Sequence, residues 1–325
     1  MAPPASTVLI LGASGRLGLA CTTAFAGAGW QVIAQTRKPG IAQSLAGVTA
    51  LVTGDASIGP FTADLRNVDV VIHAINPAYT NAAWTTQVPA MMTSAIAIAQ
   101  SLDAALLFPG NVYNFGAAMP ERLDESTAQQ PTTVKGKLRT GVEQTLRQAT
   151  QASSLRAAVI RAGDFFGCGN GSMLDQVLAT KIKKGTFTYP GPMDVATPWA
   201  YLPDLAQTFV AVAARRQQWA KFEVLHFAGH LLEGRDWLDA LQPLAEANGW
   251  VAKGQALETA ALPWPVMRVI ALFNPTLASL VEMRYLWSTP HALDNRRLCQ
   301  LIDTEPHTPL AEAVASSLAE LGLMN

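Results

Sequence analysis

Charge is scarce in this 325-residue chain: 14% of residues are charged, and 23 basic against 24 acidic side chains leave a formal net charge of −1. That balance excludes a globally basic nucleic-acid binder and an acidic tail protein. Cysteine is scarcer still. Cys21, Cys168 and Cys299 are too few and too widely spaced for a disulfide framework or a metal set. Apolar runs are short as well, since a bilayer span needs about 20 mostly apolar residues. The most apolar late stretch, Leu262 to Phe273, is interrupted by Pro263, Pro265 and Arg268. It reads as a packed helix or as the apolar wall of a pocket. No basic segment precedes Val8 to Leu11, which reads as a strand and not as a secretory signal. With half the residues hydrophobic, disorder is excluded and a sizeable core is available. The expectation is a reduced, soluble, cytoplasmic protein that meets a small molecule, with neither nucleic acid nor membrane as partner.

What is present is a rhythm. Short β-branched runs alternate with longer helical patterns, the signature of βαβ units and a parallel sheet. Strands are predicted at Thr7–Leu11, Gln31–Thr36, Ala50–Thr53, Val68–Ala74, Ala105–Phe108 and Ala157–Arg161. Helices are predicted at Arg16–Ala28, Ala42–Leu45, just before Asn67, at Trp84–Ser101 and at Lys135–Gln151. The fold class is therefore α/β, a Rossmann-type doubly wound parallel sheet with a smaller, mostly helical C-terminal region. Past Arg161 the rhythm breaks. Residues 163–171 read as a glycine-rich loop, Met173–Lys184 as a helix, and Asp204 as the cap of a helix running to Arg216. Val224–Phe227 reads as a further strand able to join the main sheet. The expected division is 1–165 for dinucleotide binding and 166–325 as a mixed region. Within the latter, 199–229 returns to the sheet, and 166–198 with 230–325 forms the substrate-binding part.

The strongest local signal is Gly12-Ala-Ser14-Gly15-Arg16-Leu17-Gly18, where an apolar strand runs into a glycine-rich turn that opens a helix. Gly12 permits a tight turn, Gly15 lets backbone approach a diphosphate, and Gly18 lets helix and strand pack closely. The helix amino end then offers unpaired N–H groups and partial positive charge. An NAD site usually presents an acid about 20 residues past the turn, for the ribose 2′-hydroxyl. Here the first acid of the chain is Asp55, and the second strand ends in Thr36-Arg37-Lys38. A missing acid removes repulsion, and Arg16, Arg37 and Lys38 would attract a 2′-phosphate. NADP is favoured over NAD, the bland alternative being that Arg37 and Lys38 are solvated charges at a strand end.

These residues, with Asp69-Val-Val-Ile-His-Ala74, Asn111-Val-Tyr-Asn-Phe-Gly116, Arg161-Ala-Gly-Asp-Phe-Phe-Gly167 and Trp199-Ala-Tyr-Leu-Pro-Asp204, resemble the extended short-chain dehydrogenase/reductases. That family includes NAD-dependent nucleotide-sugar epimerases and dehydratases. The resemblance covers most of residues 6–230. It implies that Asp55 meets the adenine, that Ala74 to Pro77, Asn76 included, line the cofactor phosphates and ribose, and that Gly163 to Phe166 lie near the nicotinamide. It also implies a small-molecule substrate such as a nucleotide sugar, and pairing into homodimers through the helices flanking the fifth strand.

The family's reaction centre does not transfer. Its Y-x-x-x-K segment falls on Lys135-Gly-Lys-Leu-Arg139, so lysine replaces the tyrosine and arginine the lysine; Phe108-Pro-Gly-Asn111 supplies no serine or threonine. Residues four apart share a helix face, so Lys135 and Arg139 are expected to point together into the cofactor cleft. There Arg139 would lower the pKa of Lys135, and both cations would favour the phenolate of Tyr113. In this reading Tyr113 or Lys135 handles the proton, Asn111 orients a carbonyl, and Arg139 holds the ribose. The activity implied is oxidation, reduction or epimerisation at a carbinol or carbonyl carbon. The other reading is a protein that binds NADP(H) without turning it over and signals by conformation.

The remaining candidates are weaker. Cys168 is a possible reactive thiol or incidental, and His73 in an apolar strand reads as a satisfied core histidine. No metal site is expected, because His226, His230, His291 and His307 lack ligand spacing. Trp199 and Tyr201 face either the substrate or a packing seam.

Overall fold

The computed structural model describes residues 6–37, 47–53 and 65–324. In chain order the first half holds β1 (Thr7–Leu11), α1 (Arg16–Gly27), β2 (Gln31–Thr36), β3 (Val48–Val52), β4 (Val70–His73), α2 (Asn81–Ser101), β5 (Ala105–Asn111), β6 (Arg122–Leu123), α3 (Val134–Ala152) and β7 (Ala157–Ala162). The second half holds β8 (Asp164–Phe166), β9 (Thr186–Tyr189), β10 (Thr197–Tyr201), α4 (Leu202–Ala214), β11 (Phe222–His226), β12 (His230–Leu232), α5 (Gly234–Ala247) and β13 (Glu258–Ala261). It closes with α6 (Trp264–Ala271), α7 (Pro275–Glu282), β14 (Ala292–Leu293), α8 (Arg296–Ile302) and α9 (Leu310–Glu320).

Seven strands form one sheet in the order β11-β7-β5-β4-β1-β2-β3, and every pairing in it is parallel. A parallel strand between two helical layers must be apolar on both faces, and β1 shows why these sequences qualify. Val8 and Ile10 pack with α1, α4 and α8, whereas Leu9 and Leu11 pack with α2 and α3 on the opposite face. The order places β1 beside both β2 and β4, so the chain reverses direction across the sheet there. A crevice opens outside the carboxyl ends of strands at such a point.

Past β7 the chain builds a second apolar cluster around Phe166, Trp199, Trp237 and Trp287. A three-stranded sheet β12-β10-β8 and two short pairings, β13 with β9 and β14 with β6, frame it. Residues 163–171 are not all loop, because Asp164–Phe166 pairs with Trp199–Tyr201. The helix expected over Met173–Lys184 is broken into a π-helical turn at Leu174–Leu178 and a 3₁₀ turn at Ile182–Lys184. Burial of Leu174, Leu178 and Ile182 in one core outweighs helical continuity there. Asp204 does not cap α4. It lies in the first turn, and its carboxylate accepts hydrogen bonds from the backbone N–H and hydroxyl of Thr308, 2.7 Å each. Val224–Phe227 does join the main sheet, as β11 against β7. The helices expected at Ala42–Leu45 and just before Asn67 lie outside the described residues.

Candidate active site

The turn after β1 has the geometry its glycines demand. Gly12 takes a φ of +78°, which favours glycine, and a Cβ there would lie 3.0 Å from Ile75. At Gly18 a Cβ would stand 2.2 Å from the carbonyl oxygen of Gly12, so this glycine alone lets α1 close on the strand. Gly15, the N-terminal flank of α1, has space apart from a 3.3 Å approach to the Gly12 oxygen. No side chain caps α1 and no acid occupies its first turn, which leaves its amino-terminal N–H groups for a ligand. Ser14 and Gly15 are exposed at the lip; Leu17 and Gly18 are buried beneath it. The cradle therefore fits the diphosphate of a dinucleotide.

A residue that the sequence reading passed over holds this turn. The Gln35 side chain, 1% exposed at the end of β2, accepts a hydrogen bond from the Gly12 N–H at 2.9 Å and donates to the Thr53 hydroxyl at 2.7 Å. An amide directly after the apolar run Val32-Ile33-Ala34 was the available signal. Arg37 follows, exposed; Lys38 and Asp55 lie outside the described residues. Arg16 is engaged elsewhere than the sequence suggested. Its guanidinium donates to the carbonyls of Gly167 at 2.7 Å and of Phe165 and Gly171 at 3.4 Å, tying the phosphate turn to the loop after β8. Gly163 has a steric reason to be glycine, since a Cβ would fall 2.0 Å from the Pro198 oxygen. Ala74 continues β4 with a 3.0 Å bond to the Leu11 oxygen, and Asn76 is exposed beside it.

The second group of candidates meets where β5 ends. Asn111 caps a 3₁₀ turn, its Oδ1 accepting from the Tyr113 N–H at 3.1 Å. Thr133 caps α3 through the Gly136 N–H, and a Cβ on Gly136 would lie 2.4 Å from the Tyr113 backbone carbonyl oxygen. That close approach packs the first turn of α3 on the turn that carries Tyr113. Lys135 is fully buried, its ammonium donating to Asn81 Oδ1 at 2.6 Å and lying 4.4 Å over the Tyr79 ring. Arg139 donates to the Pro109 carbonyl at 3.2 Å and stacks on Trp84 and Phe108. It also lines a narrow crevice with His73, Ile75, Asn76 and Phe108.

The electrostatics correct two expectations. Tyr113 is not pushed towards phenolate. Burial carries its pKa well above the ordinary value, its hydroxyl hydrogen-bonds that of Tyr79, and the opposing pull of Arg139 is smaller. Lys135 does fall, to about 8, but desolvation is the cause; Glu282 works against it. Glu282 itself accepts from the Asn81 amide at 2.7 Å and the Val134 N–H at 2.8 Å, linking α7 to the starts of α2 and α3.

One acid was expected only as part of the 163–166 segment, with no role for its charge. Asp164 is raised to about 6 by burial, and its Oδ2 accepts from the Trp287 indole at 2.7 Å. Its negative charge is felt by Tyr79, Tyr113, Tyr189 and Tyr285, so a carboxyl group stands among four phenols. The residue sits inside Arg161-Ala-Gly-Asp, yet nothing local marks it; the tyrosines come from four distant segments. His73 is core, stacked on Phe108 at 5.4 Å and held neutral by burial with a pKa near 3, but its Nδ1 has no partner in the structure. Trp199 and Tyr201 pack in the C-terminal core. Burial pushes the Cys168 thiol up to about 11, which opposes thiolate chemistry. Among the described residues no His, Cys, Asp and Glu cluster could hold a metal ion.

This glycine cradle at the amino end of α1, on a seven-stranded parallel sheet, defines a dinucleotide-binding α/β protein. A sequence model of the NAD dependent epimerase/dehydratase family matches residues 8–226, and the chain belongs to that family. Among solved structures it is similar to UDP-glucose 4-epimerase of Brucella ovis in complex with NAD, at 14% identity and a TM-score of 0.73 over 99% of both chains. It is also similar to the Bordetella bronchiseptica enzyme WbmH in complex with NAD+, at 16% identity and a TM-score of 0.71 over 97% of this chain and 98% of the other. A UDP-galactose 4-epimerase gives 14% identity and a TM-score of 0.73 over 97% and 98%. At these identities the likeness shows the fold. No curated protein matches the sequence significantly. Among the described residues no helix is long and apolar enough to cross a membrane.

Proposed function

We propose that this protein is an NADP(H)-dependent enzyme that interconverts a carbinol and a carbonyl, as an oxidoreductase or an epimerase of small-molecule substrates. The observation that carries the reading is the cradle of Gly12, Gly15 and Gly18 beside a β2 end without an acid. The backbone of residues 14–18 would hold the diphosphate. Arg37 would meet the ribose phosphate. Ala74, Asn76 and Gly163 would flank the second ribose and nicotinamide. Bound there, the coenzyme supplies hydride acceptance and return.

The chain's own residues handle the proton. Tyr113 stays protonated at neutral pH and donates, with Tyr79 as its hydrogen-bonded neighbour. Lys135, near 8, and Asp164, near 6, lie on either side of neutrality and suit acid and base duty. Asn111 caps its turn with its carbonyl oxygen, keeping its amide hydrogens for a substrate oxygen. Arg139 lines the crevice below. The solved relatives named for UDP-sugars make a nucleotide sugar one candidate substrate, and pairing into dimers follows the same family logic.

Calorimetry with NADPH and NADH, followed by a search for stereospecific deuterium transfer from labelled NADPH to a carbonyl panel, tests the reading. Tighter NADPH than NADH binding and transfer of label are expected. Equal affinities overturn the phosphate preference. Tight binding with no transfer favours the second reading, a coenzyme-binding regulatory protein. That reading is supported by Lys135 being fully buried and tied to Asn81.

A further inference from the structure

Elsewhere the chain pairs its buried acids. Glu143 meets Arg161, Glu223 meets Arg297, and Asp294 pairs with both Arg122 and Arg296. Asp164 breaks that rule. Its Oδ2 accepts from the Trp287 indole at 2.7 Å. Among the described residues nothing donates to Oδ1, and no lysine, arginine or histidine acts on the carboxylate. The residue is half-buried, so a ligand can reach it. The two cations of the site are committed elsewhere. Lys135 is held by Asn81 Oδ1 and the Tyr79 ring, and Arg139 by the Pro109 carbonyl and the Trp84 and Phe108 rings. A carboxylate withdrawn from water without a counter-charge is costly. This one still holds its charge at pH 8, because burial raises it only to about 6.

Aromatic groups from four segments make up its surroundings. Tyr79 precedes α2, Tyr113 lies in the turn after β5, Tyr189 ends β9, and Tyr285 and Trp287 follow α7. The charge of Asp164 reaches all four phenols. Trp264, at the start of α6, stacks on Trp287 at 6.2 Å. No residue of α6 is buried, so the packed helix expected over Leu262–Phe273 is not met, while Leu262 and Trp264 do pack on the C-terminal cluster. A carboxylate among electron-rich rings suits an organic ammonium, which gains an ion pair and cation–π attraction together. A diphosphate would bring like charge to the same carboxyl.

We infer that the Asp164 chamber binds a protonated amine, so that the carbonyl or carbinol compound taken by this cleft carries an ammonium group seated against Asp164 Oδ1 and the surrounding aromatic side chains. The inference rests on the reading of this cleft as the substrate site and names the substrate's class.

Phenethylamine and its uncharged counterpart 2-phenylethanol, titrated calorimetrically into the full chain at pH 8 with and without NADPH, test it. Wild type is expected to favour the amine by about tenfold or more, the worth of a hydrogen bond to a charged group. Asp164→Asn, which keeps an acceptor for Trp287, removes that preference. So does lowering the pH to 5, where the carboxyl takes up its proton. A thermal midpoint no lower than that of wild type at pH 8 shows the variant folded. Equal affinities for amine and alcohol, or a preference that survives Asp164→Asn, overturn the proposal. UDP-glucose occupying the same site more tightly than the amine does so too. An Asp164→Asn effect confined to oxidised over reduced coenzyme also overturns it, by placing the carboxylate against the nicotinamide. NADPH binding without amine selectivity therefore removes this inference alone, whereas amine selectivity without NADPH binding supports it and removes the coenzyme reading.

Discussion

The Lys135 ammonium lies 2.6 Å from Asn81 Oδ1, so the lysine in the place of the family's tyrosine is anchored to the first turn of another helix. Its burial carries a testable sign. In the unfolded chain the amine titrates near 10.5, and in the folded protein near 8. Between those values the unfolded state binds more protons, so stability rises with pH across that window. Lys135→Met removes this rise. Thermal midpoints measured from pH 7.5 to 10.5 should converge for the two proteins as the wild type gains on the order of 2–3 kcal/mol. Parallel curves would show that the amine is not desolvated.

Asp164 carries the opposite slope. Its folded pKa, about 6, exceeds the ordinary 3.8, so the native state binds more protons and stability falls as pH climbs between them. Asp164→Asn keeps an acceptor for the Trp287 indole and loses the charge. The variant is expected to unfold at a higher temperature than wild type at pH 8, with the gap closing below pH 4. If activity is found, its acidic limb near pH 6 should vanish in this variant.

The glycines of the phosphate turn separate packing from binding. Gly18→Ala drives a Cβ into the Gly12 oxygen at 2.2 Å and should cost about 1–3 kcal/mol of stability along with coenzyme affinity. Gly15→Ala meets that oxygen at 3.3 Å, so the fold should survive while affinity falls. Calorimetry and thermal unfolding on both variants check the contrast.

Arg161 and Glu143 form a buried pair at 2.6 Å that fastens α3 to β7. Glu143→Gln leaves an uncompensated buried guanidinium, and the expected loss is about 3–5 kcal/mol in denaturant titration. A loss below about 1 kcal/mol would show that His226, 3.3 Å from the guanidinium, or water suffices.

Much of the frame was legible because local chemistry and fold agree. Strands β1 and β2 fall where apolar runs predict them, and α1 begins at Arg16 just past the glycines. Helices α2 and α3 begin one to three residues earlier than their apolar periodicity suggested, since Thr80 and Thr133 supply the caps. The site was legible only in part. Lys135 and Arg139 lie together against Trp84 on one face of α3, as their spacing implied, but Tyr113 was misjudged, because its pKa depends on desolvation. Tyr79, Asn81 and Glu282, and the surroundings of Asp164, were missed because the partners lie tens to hundreds of residues away.

What the sequence by itself determined is the parallel sheet and the glycine turn, because strand period, turn conformation and helix start are set by neighbours along the chain. What only the tertiary structure decided is the character of the charges. Arg16 gripping loop carbonyls, Lys135 losing water beside Asn81 and Asp164 among phenols all follow from distant segments meeting. Burial and hydrogen bonding, not residue type, set what each of those groups can do.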